Sequence, residues 1–385
     1  MDFQTLLIHG GENPDDGLGD LAPPIHVSST YAQADPERFG PYTYARSGNP
    51  TRTALEAAIA ALEGGARGLA FASGMAAIAS TLLLFAPGDH LIVCRDLYGG
   101  AYRVLTGLFA RWGLETSFVD TADLAAVARA VTPHTRAVYV ESPSNPLLAI
   151  TDLAAVAGLA KAKGLTSIVD NTFMTPYLQR PLALGFDIVV HSATKFLGGH
   201  SDLVAGLAVT ADAALGLRLA GIQNAFGAVL PPLDSWLLLR GLRTLAVRLA
   251  AEQATAGELA AWLAGRDDLA RVHYPGLAGH PGQDIHRAQA DGPGAVLSFE
   301  LQSPAAAKAF MRALTLPKLA VSLGGVESIL SYPATMSHAA MPAAERAARG
   351  ISDALVRLSV GLESAADLKA DLDRALAAAR ARPAP

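Results

Sequence analysis

The feature that most constrains this fold is a regular alternation of short apolar runs with alanine- and leucine-rich segments between residues 68 and 192. Most of the runs are rich in Val, Ile and Leu and have the length of a strand that is buried on both faces. Strands that alternate with helices pair in parallel through right-handed crossovers. The sequence therefore predicts an α/β fold built on a mostly parallel sheet. The predicted strands are 68–72, 90–94, 115–119, 137–141, 166–170 and 186–190.

Polar residues follow these runs, at the points where the strands are predicted to end. In a parallel sheet the ligand site lies beyond the carboxyl ends of the strands, so these residues are expected to converge. This convergence is the main argument from the residues alone for an enzyme. The residues are Ser73, Tyr98, the ESPSNP segment at 141–146, Asp170, Asn171, Thr172 and the segment 192–195.

Lys195 stands after one such strand, in the segment FDIVVHSATKFLGGHS. An amine at the edge of a buried sheet is poorly solvated and loses its proton readily, as a lysine that forms a Schiff base must. Ser192 and Thr194 add hydroxyl groups, and Gly198 and Gly199 allow close approach of the backbone. The segment suggests a covalently held carbonyl cofactor that carries a phosphate. A lysine in a solvated loop is the alternative.

Two further segments are suited to bind a phosphate. Tyr44 and Arg46 lie two residues apart, so in an extended segment both side chains project to one side, and a guanidinium can donate two parallel hydrogen bonds. Gly74 and Met75 follow Ser73 at a predicted helix start, where free N–H groups and the helix dipole favour an anion. An exposed loop arginine and a serine-capped turn are the alternatives at these two places.

Three side chains are candidates for contacts with an aromatic ring or a substrate. Tyr98 at a strand end can stack on a ring, although simple packing is the alternative. Asp170 has a carboxylate near buried surface that needs a partner such as a protonated heteroaromatic nitrogen, unless it caps the following loop. Arg357 interrupts an apolar strand and requires an anion, either a substrate carboxylate or an internal ion-pair partner.

The composition limits the class of protein and its partners. With 385 residues, 51% of them hydrophobic and 17% charged, the chain is typical of a globular protein with more than one core. A net charge of -5 makes nucleic acid and anionic membrane poor partners. Cys94 is the only cysteine, which excludes an intrachain disulfide and a cysteine zinc cluster, and no metal site is expected. Without a leader or a membrane-length apolar run, a cytoplasmic protein is expected.

Three parts are expected along the chain. Residues 1–50, rich in Pro, Gly and Asp, are interpreted as an extended arm with little core of its own. Residues 51–235 form the α/β domain, and a smaller α+β domain spans 236–385, opening with one long helix at about 236–263. The strands predicted in the smaller domain lie near residue 272, at 295–301 and at 355–360.

Eight segments in this order resemble the Cys/Met-metabolism family of pyridoxal-phosphate (PLP) enzymes and span nearly the whole chain. They are YARSGNPT, ASGMAAI, DLYGG, ESPSNP, VDNTF, HSATKFLGGHSD, SLGGVES and RLSVGLE. The resemblance implies the type I fold, which is like that of aspartate aminotransferase. It also implies a homotetramer of two active dimers, with PLP as the cofactor and a sulfur amino acid as the substrate.

The resemblance also implies roles for single residues. Lys195 matches the Schiff-base lysine, Asp170 the partner of the pyridine nitrogen and Tyr98 the ring-stacking residue, and these three are the expected catalytic set. Asn145 matches the residue near the phenolic oxygen of the cofactor. The expected phosphate ligands are the backbone of Gly74 and Met75, the side chains of Ser192 and Thr194, and Tyr44 and Arg46, which reach in from the neighbouring subunit. Ser322 and Arg357 match the site for the substrate carboxylate.

The sequence indicates the reaction less clearly than it indicates the family. Many γ-synthases and γ-lyases of the family carry glutamate just before the SLGG serine, where this chain has Val321, and methionine γ-lyases carry cysteine where this chain has Gly100. The segment SLGGVESILSYPATMSHAAM is most similar to bacterial cystathionine β-lyases, which implies β-elimination of cystathionine to homocysteine, pyruvate and ammonia. Cystathionine γ-synthase, γ-lyase or methionine γ-lyase-like activity is the alternative. A catalytically silent PLP-binding protein is the alternative of another class.

Overall fold

The computed structural model describes residues 1–11, 19–339 and 341–380. Its first and larger part contains a seven-stranded sheet with helices on both sides. The strands are β1 (Arg67–Phe71), β2 (His90–Cys94), β3 (Glu115–Val119), β4 (Thr135–Glu141), β5 (Thr166–Asp170), β6 (Ile188–Ser192) and β7 (Gly206–Thr210). The helices are α1 (Phe3–His9), α2 (Pro50–Glu63), α3 (Gly74–Leu82), α4 (Gly99–Arg103), α5 (Ala110–Trp112), α6 (Leu124–Arg129), α7 (Leu153–Ala162), α8 (Thr175–Leu178), α9 (Ala213–Phe226), α10 (Pro232–Leu242) and α11 (Leu245–Ala264). A π-helical segment joins α4 to α5, and a 3-10 turn precedes β6.

The strand order of this sheet is β1-β7-β6-β5-β4-β2-β3. The five strands from β6 to β3 pair in parallel, so the predicted mostly parallel sheet is confirmed. Strand β7, which was not predicted, lies antiparallel to both β1 and β6. Residues 193–205 lead from β6 back along the sheet into β7, and Lys195 lies at the start of this turn.

The second part contains a five-stranded sheet in the order β10-β11-β12-β9-β8. Its strands are β8 (Leu269–His273), β9 (Val296–Leu301), β10 (Lys318–Leu319), β11 (Ile329–Ser331) and β12 (Leu355–Ser359), and its helices are α12 (Gln283–Gln289), α13 (Pro304–Ala313), α14 (Ala343–Ala348) and α15 (Ala365–Arg380). The three predicted strands are confirmed, whereas β10 and β11 are too short to have been predicted. Helices α13 and α15 cover one face of this sheet with a separate apolar core.

The long helix predicted at 236–263 is wrong, because the structure breaks it into α10 and α11 at residues 243–244. Arg248 occupies the break: its guanidinium donates to Gly241 O at 2.9 Å and to Thr244 Oγ1 at 3.0 Å. The same guanidinium donates to Phe196 O at 2.9 Å. The break therefore ties these two helices to the turn that follows Lys195.

The first fifty residues differ in part from the predicted extended arm. Phe3–His9 form α1, whose Leu7 is buried in the same core as Leu55 and Ile59 of α2. The described residues from 19 to 48 have little regular structure and are mostly exposed, as predicted for an arm. The boundary at 235/236 stays a prediction, since α10 packs in the core of the larger part. In the described ranges we find no helix with both the length and the apolar character needed to span a membrane.

Candidate active site

A cavity of about 540 Å³ lies where β2, β4, β5 and β6 end, and residues of the second part close its other side. All the predicted site residues line it except Tyr44 and Arg46. Those that line it are Gly74, Met75, Tyr98, Asn145, Asp170, Ser192, Thr194, Lys195, Ser322 and Arg357. The convergence expected at the strand ends is therefore present in the structure.

Lys195 is the central amine of this cavity. Its Nζ donates to Ser322 Oγ at 2.5 Å. Burial lowers the pKa of Lys195 to about 8, and the nearby positive charge of Arg357 acts in the same direction. Gly324, with φ +75, packs against the backbone of Lys195, and a Cβ there would lie 2.6 Å from Phe196 N. The glycine is thus required for the close contact that holds the amine beside Ser322.

Asp170 is the last residue of β5 and is buried. Its Oδ1 accepts hydrogen bonds from Thr172 Oγ1 at 2.5 Å and from Thr172 N at 3.0 Å, and its Oδ2 faces Tyr139 Oη at 3.5 Å. Burial raises the pKa of Asp170, and the Thr172 hydrogen bonds oppose that rise. A carboxylate so placed, with no ion-pair partner among the described residues, is suited to a cationic group of a ligand.

The N-terminus of α3 forms a narrow cradle in the same cavity. Ser73 caps the helix through Oγ, which accepts from Ala76 N at 3.0 Å, so the serine cap considered from the sequence is present. A Cβ on Gly74 would lie 2.8 Å from the Ser192 side chain, and one on Gly206 would lie 2.1 Å from Ser73 O. These glycines let three backbone segments meet around the free N–H groups of the helix, which favours an anion.

Thr194 lies at the edge of this cradle, where its hydroxyl is already engaged. Its Oγ1 donates to Ala205 O at 3.2 Å and accepts from Ala205 N at 3.0 Å. Thr194 therefore bridges the turn between β6 and β7 as well as lining the cavity. A hydroxyl oxygen that both donates and accepts internally is held in one orientation.

Arg357 lies in β12 on the opposite side of the cavity and is 3% exposed. It donates from Nη1 to Asn145 Oδ1 at 2.8 Å and from Nη2 to Ser322 O at 2.7 Å. Burial lowers the pKa of Arg357 to about 10, which leaves it cationic at neutral pH. None of the ion pairs within the described ranges involves Arg357, so the internal ion pair considered from the sequence is not formed. The charge remains available for an anion.

Tyr44 and Arg46 lie on the arm, outside the cavity of their own chain. Tyr44 is 47% exposed, and the guanidinium carbon of Arg46 lies 5.6 Å from the centre of its ring. Arg52 of α2 donates to Ala45 O at 2.8 Å and to Arg46 O at 3.1 Å, which holds this segment against the body of the protein. Their expected action on a neighbouring subunit stays a prediction.

Several other lining residues were not among the predicted site residues, among them Glu141, Thr172 and Arg103. Glu141 and Thr172 stand at strand ends and belonged to the convergent group, so the same reasoning pointed to their position. Arg103 in α4 also lines the cavity and is exposed. No sequence signal marked Arg103, because its helix is brought to the cavity only by the folding of the 95–100 turn.

The comparisons with known proteins agree with this geometry. The model of the family described as Cys/Met metabolism PLP-dependent enzyme matches residues 4–377. The cystathionine beta-lyase MetC of Bacillus subtilis (strain 168) is 56% identical over 97% of this chain and 96% of its own. A cystathionine gamma-lyase of the same organism is 48% identical, with 98% and 99% covered.

A solved structure extends the agreement to the fold. The cystathionine gamma-lyase of Lactobacillus plantarum, complexed with L-serine, has a TM-score of 0.97 at 48% identity and covers 99% of this chain and 100% of its own. The expected type I fold is thereby confirmed. The chain belongs to the Cys/Met-metabolism family of PLP-dependent enzymes.

Proposed function

We propose that this enzyme cleaves the carbon-sulfur bond of cystathionine by β-elimination, using water to form homocysteine, pyruvate and ammonia. The observation that carries the proposal is the 56% identity to a cystathionine β-lyase along nearly the full length of both chains. Val321 agrees with it, since many γ-enzymes have glutamate at this place. A γ-lyase at 48% identity supports γ-elimination as the second candidate.

The residues of the cavity fit PLP as a ligand. Lys195 offers an amine for its aldehyde, Asp170 a carboxylate for its ring nitrogen, and Tyr98 an aromatic face for its ring. The cradle at Gly74, to which Ser192 belongs, suits a phosphate, because the first N–H groups of α3, at Gly74 and Met75, have no partner among the described residues. Once bound, PLP supplies a sink for the electrons left when the Cα proton of an amino acid is removed.

Lys195 is the proposed carrier of the Cα proton. With a pKa of about 8, about a tenth of its amine is neutral at pH 7 and can accept a proton, whereas an ordinary lysine is almost fully charged. Ser322 Oγ lies 2.5 Å from Nζ and orients the amine. Ser322 itself has φ +95, a strained conformation for a serine that the surrounding contacts must maintain.

This pKa predicts the pH dependence of PLP uptake by the protein freed of cofactor. Only the neutral amine of Lys195 can react with an aldehyde, and that form increases as the pH rises through about 8. The initial rate of uptake, followed by visible absorption, is expected to rise with pH and to level off above about pH 8 to 9. A rate that keeps rising to pH 10 or above would mean that the amine is not desolvated.

Arg357 is the proposed ligand of the substrate α-carboxylate. Its cationic guanidinium is held by Asn145 Oδ1 and Ser322 O, two neutral oxygens, so an incoming carboxylate meets a charge that forms no ion pair with the residues that the structure describes. Cystathionine carries a second amino-acid end beyond the sulfur. The exposed Arg103 on the cavity wall is positioned to attract the carboxylate of that end.

The arm is the proposed contribution of a neighbouring subunit in a homotetramer of two active dimers. Arg46→Ala is expected to weaken PLP retention about tenfold, because a guanidinium that pairs with a phosphate is removed. The dissociation constant for PLP, measured by visible absorption, checks this. Arg38→Ala on the same arm is the matched control and should retain PLP as the parent does. If the two variants are equal, the arm has been assigned wrongly.

The identity of the keto acid tests the reaction itself. Incubation with cystathionine is expected to yield pyruvate and homocysteine. Release of 2-oxobutyrate and cysteine would replace β-elimination by γ-elimination. Formation of cystathionine from cysteine and an activated homoserine ester would indicate a γ-synthase. If none of these reactions occurs while PLP remains bound, the chain is a silent PLP-binding protein and the proposal fails.

A further inference from the structure

Glu141 is a buried carboxyl group in the cavity to which the proposed function assigns no role. It is the last residue of β4 and is the direct register partner of Asp170 in β5. It is 5% exposed, and its side chain lines the cavity. Neighbouring strands are roughly 5 Å apart, so the sheet places two carboxyl groups side by side.

The contacts of Glu141 reach two loops that carry proposed cofactor residues. Its Oε2 accepts a hydrogen bond from the backbone N–H of Tyr98 at 2.8 Å. The backbone N–H of Asn145 lies near the same carboxyl group and favours its ionised form, which lowers its pKa. One side chain therefore joins the start of α4 to the loop after β4.

The backbone after Tyr98 has little freedom to be held in another way. A Cβ on Gly99 would lie 1.8 Å from Ser337 O, and one on Gly100 would lie 2.4 Å from the Tyr98 ring. The turn at Gly99 and Gly100 is thus packed tightly between the Tyr98 ring and the second part of the chain. The hydrogen bond to Glu141 holds the Tyr98 N–H, while Tyr98 O accepts from Tyr102 N within the first turn of α4.

The charge of Glu141 follows from its surroundings. Burial, and then the neighbouring charge of Asp170, raise the pKa of Glu141 well above its usual range, although the two N–H donors oppose the rise. Ionising both of two adjacent buried carboxyl groups costs much free energy, because the like charges repel each other. The other titratable groups facing Glu141 are Cys94 on β2, Asp96 after it, Tyr139 on β4 and Arg357 on β12.

We propose that Glu141 is a positioning residue that works as an uncharged carboxylic acid. It fixes the backbone of Tyr98 and Asn145, while Asp170 carries the negative charge of the two adjacent carboxyl groups. The inference rests on the proposed roles of Tyr98, Asn145 and Asp170 toward PLP. When Glu141 is neutral, Asp170 is the carboxylate of this pair that attracts a proton on the ring nitrogen of PLP. It also accepts both N–H groups without adding a second buried anion.

Two variants of the full-length enzyme with PLP separate these parts of the proposal. Glu141→Leu keeps the volume but removes the acceptor, and it is expected to weaken PLP binding roughly tenfold or more and to reduce the induced circular dichroism of bound PLP. Glu141→Gln stays uncharged and keeps one acceptor. It should bind PLP within about threefold of the parent and keep the induced circular dichroism. The visible absorption of PLP bound to this variant should change with pH at the same midpoint as in the parent.

Each other result counts against the inference. A Glu141→Leu protein that binds PLP with parental affinity and circular dichroism would overturn the positioning role. If Glu141→Gln loses as much as Glu141→Leu, or moves the midpoint by about one pH unit or more, Glu141 acts as an anion instead. Should the leucine variant not fold, the affinity and midpoint of the glutamine variant still decide.

Glu252→Gln provides the control for loss of a buried carboxyl group. Glu252 lies in α11, is fully buried and does not line the cavity. Its substitution should leave PLP affinity and induced circular dichroism unchanged. Because PLP binding is read without any substrate, these outcomes stay interpretable even if cystathionine proves to be the wrong substrate.

Discussion

Replacing Lys195 with alanine is expected to lower turnover by at least about 10³-fold and to abolish the visible absorption of covalently held PLP. The variant loses the amine that binds the aldehyde and also the group that accepts the Cα proton, and a positioned acid-base group alone contributes typically 10²–10⁴-fold. The structure supports both roles, since burial lowers the pKa of Lys195 to about 8 and Ser322 orients Nζ. Pyruvate release and the visible spectrum are the measurements.

Lys161→Ala is the matched control, because Lys161 lies exposed near the end of α7, away from the cavity. It should keep the parental spectrum and turnover. Far-ultraviolet circular dichroism of the Lys195 variant should match the parent, which separates lost chemistry from lost folding. If Lys195→Ala retained more than a tenth of the parental turnover, that result would contradict the proposed mechanism.

Exchanging Asp170 for asparagine is expected to reduce kcat by about 10²–10⁴-fold with a smaller change in KM. The carboxylate is proposed to hold a proton on the ring nitrogen of PLP, and breaking a buried ion pair costs about 3–5 kcal/mol, or roughly 10²–10⁴-fold. Asparagine keeps the shape and an oxygen that can accept from Thr172, so the fold should survive. Steady-state kinetics with cystathionine measure the effect.

Asp187→Asn removes a carboxylate from the other end of the same sheet. Asp187 accepts hydrogen bonds from Ser167 N and Ser167 Oγ, both at 2.8 Å, next to the start of β6. This variant is expected to lower thermal stability modestly and to leave kcat near the parental value. Equal losses of kcat in the two variants would indicate that Asp170 acts only through the stability of the sheet.

The parts of the fold that could be predicted are those with a strong local pattern. The strands His90–Cys94, Glu115–Val119 and Thr166–Asp170 have the predicted bounds, because each lies between clearly marked helices or turns in the alternating pattern. The break between α10 and α11 could not be predicted. It depends on Arg248, whose guanidinium bonds Phe196 O, a contact between residues 52 positions apart.

The site divides in the same way. The types of residue at the strand ends, with the eight segments that resemble the family, were enough to predict Lys195, Asp170 and Arg357 as site residues, and all three line the cavity. Their partners were not visible, because hydrogen bonds such as Arg357 to Asn145 join residues 212 positions apart. Likewise, Glu141 was one polar residue among several until β4 and β5 placed it beside Asp170.

By itself, the sequence determined the alternating α/β order, the amine at the end of a buried strand and the family, since these depend on short-range pattern and on motif order. Only the tertiary structure decided which groups share the cavity, that Arg357 forms no ion pair among the described residues, and that Glu141 lies beside Asp170. The reason is physical: burial and charge depend on neighbours that folding brings together from distant parts of the chain.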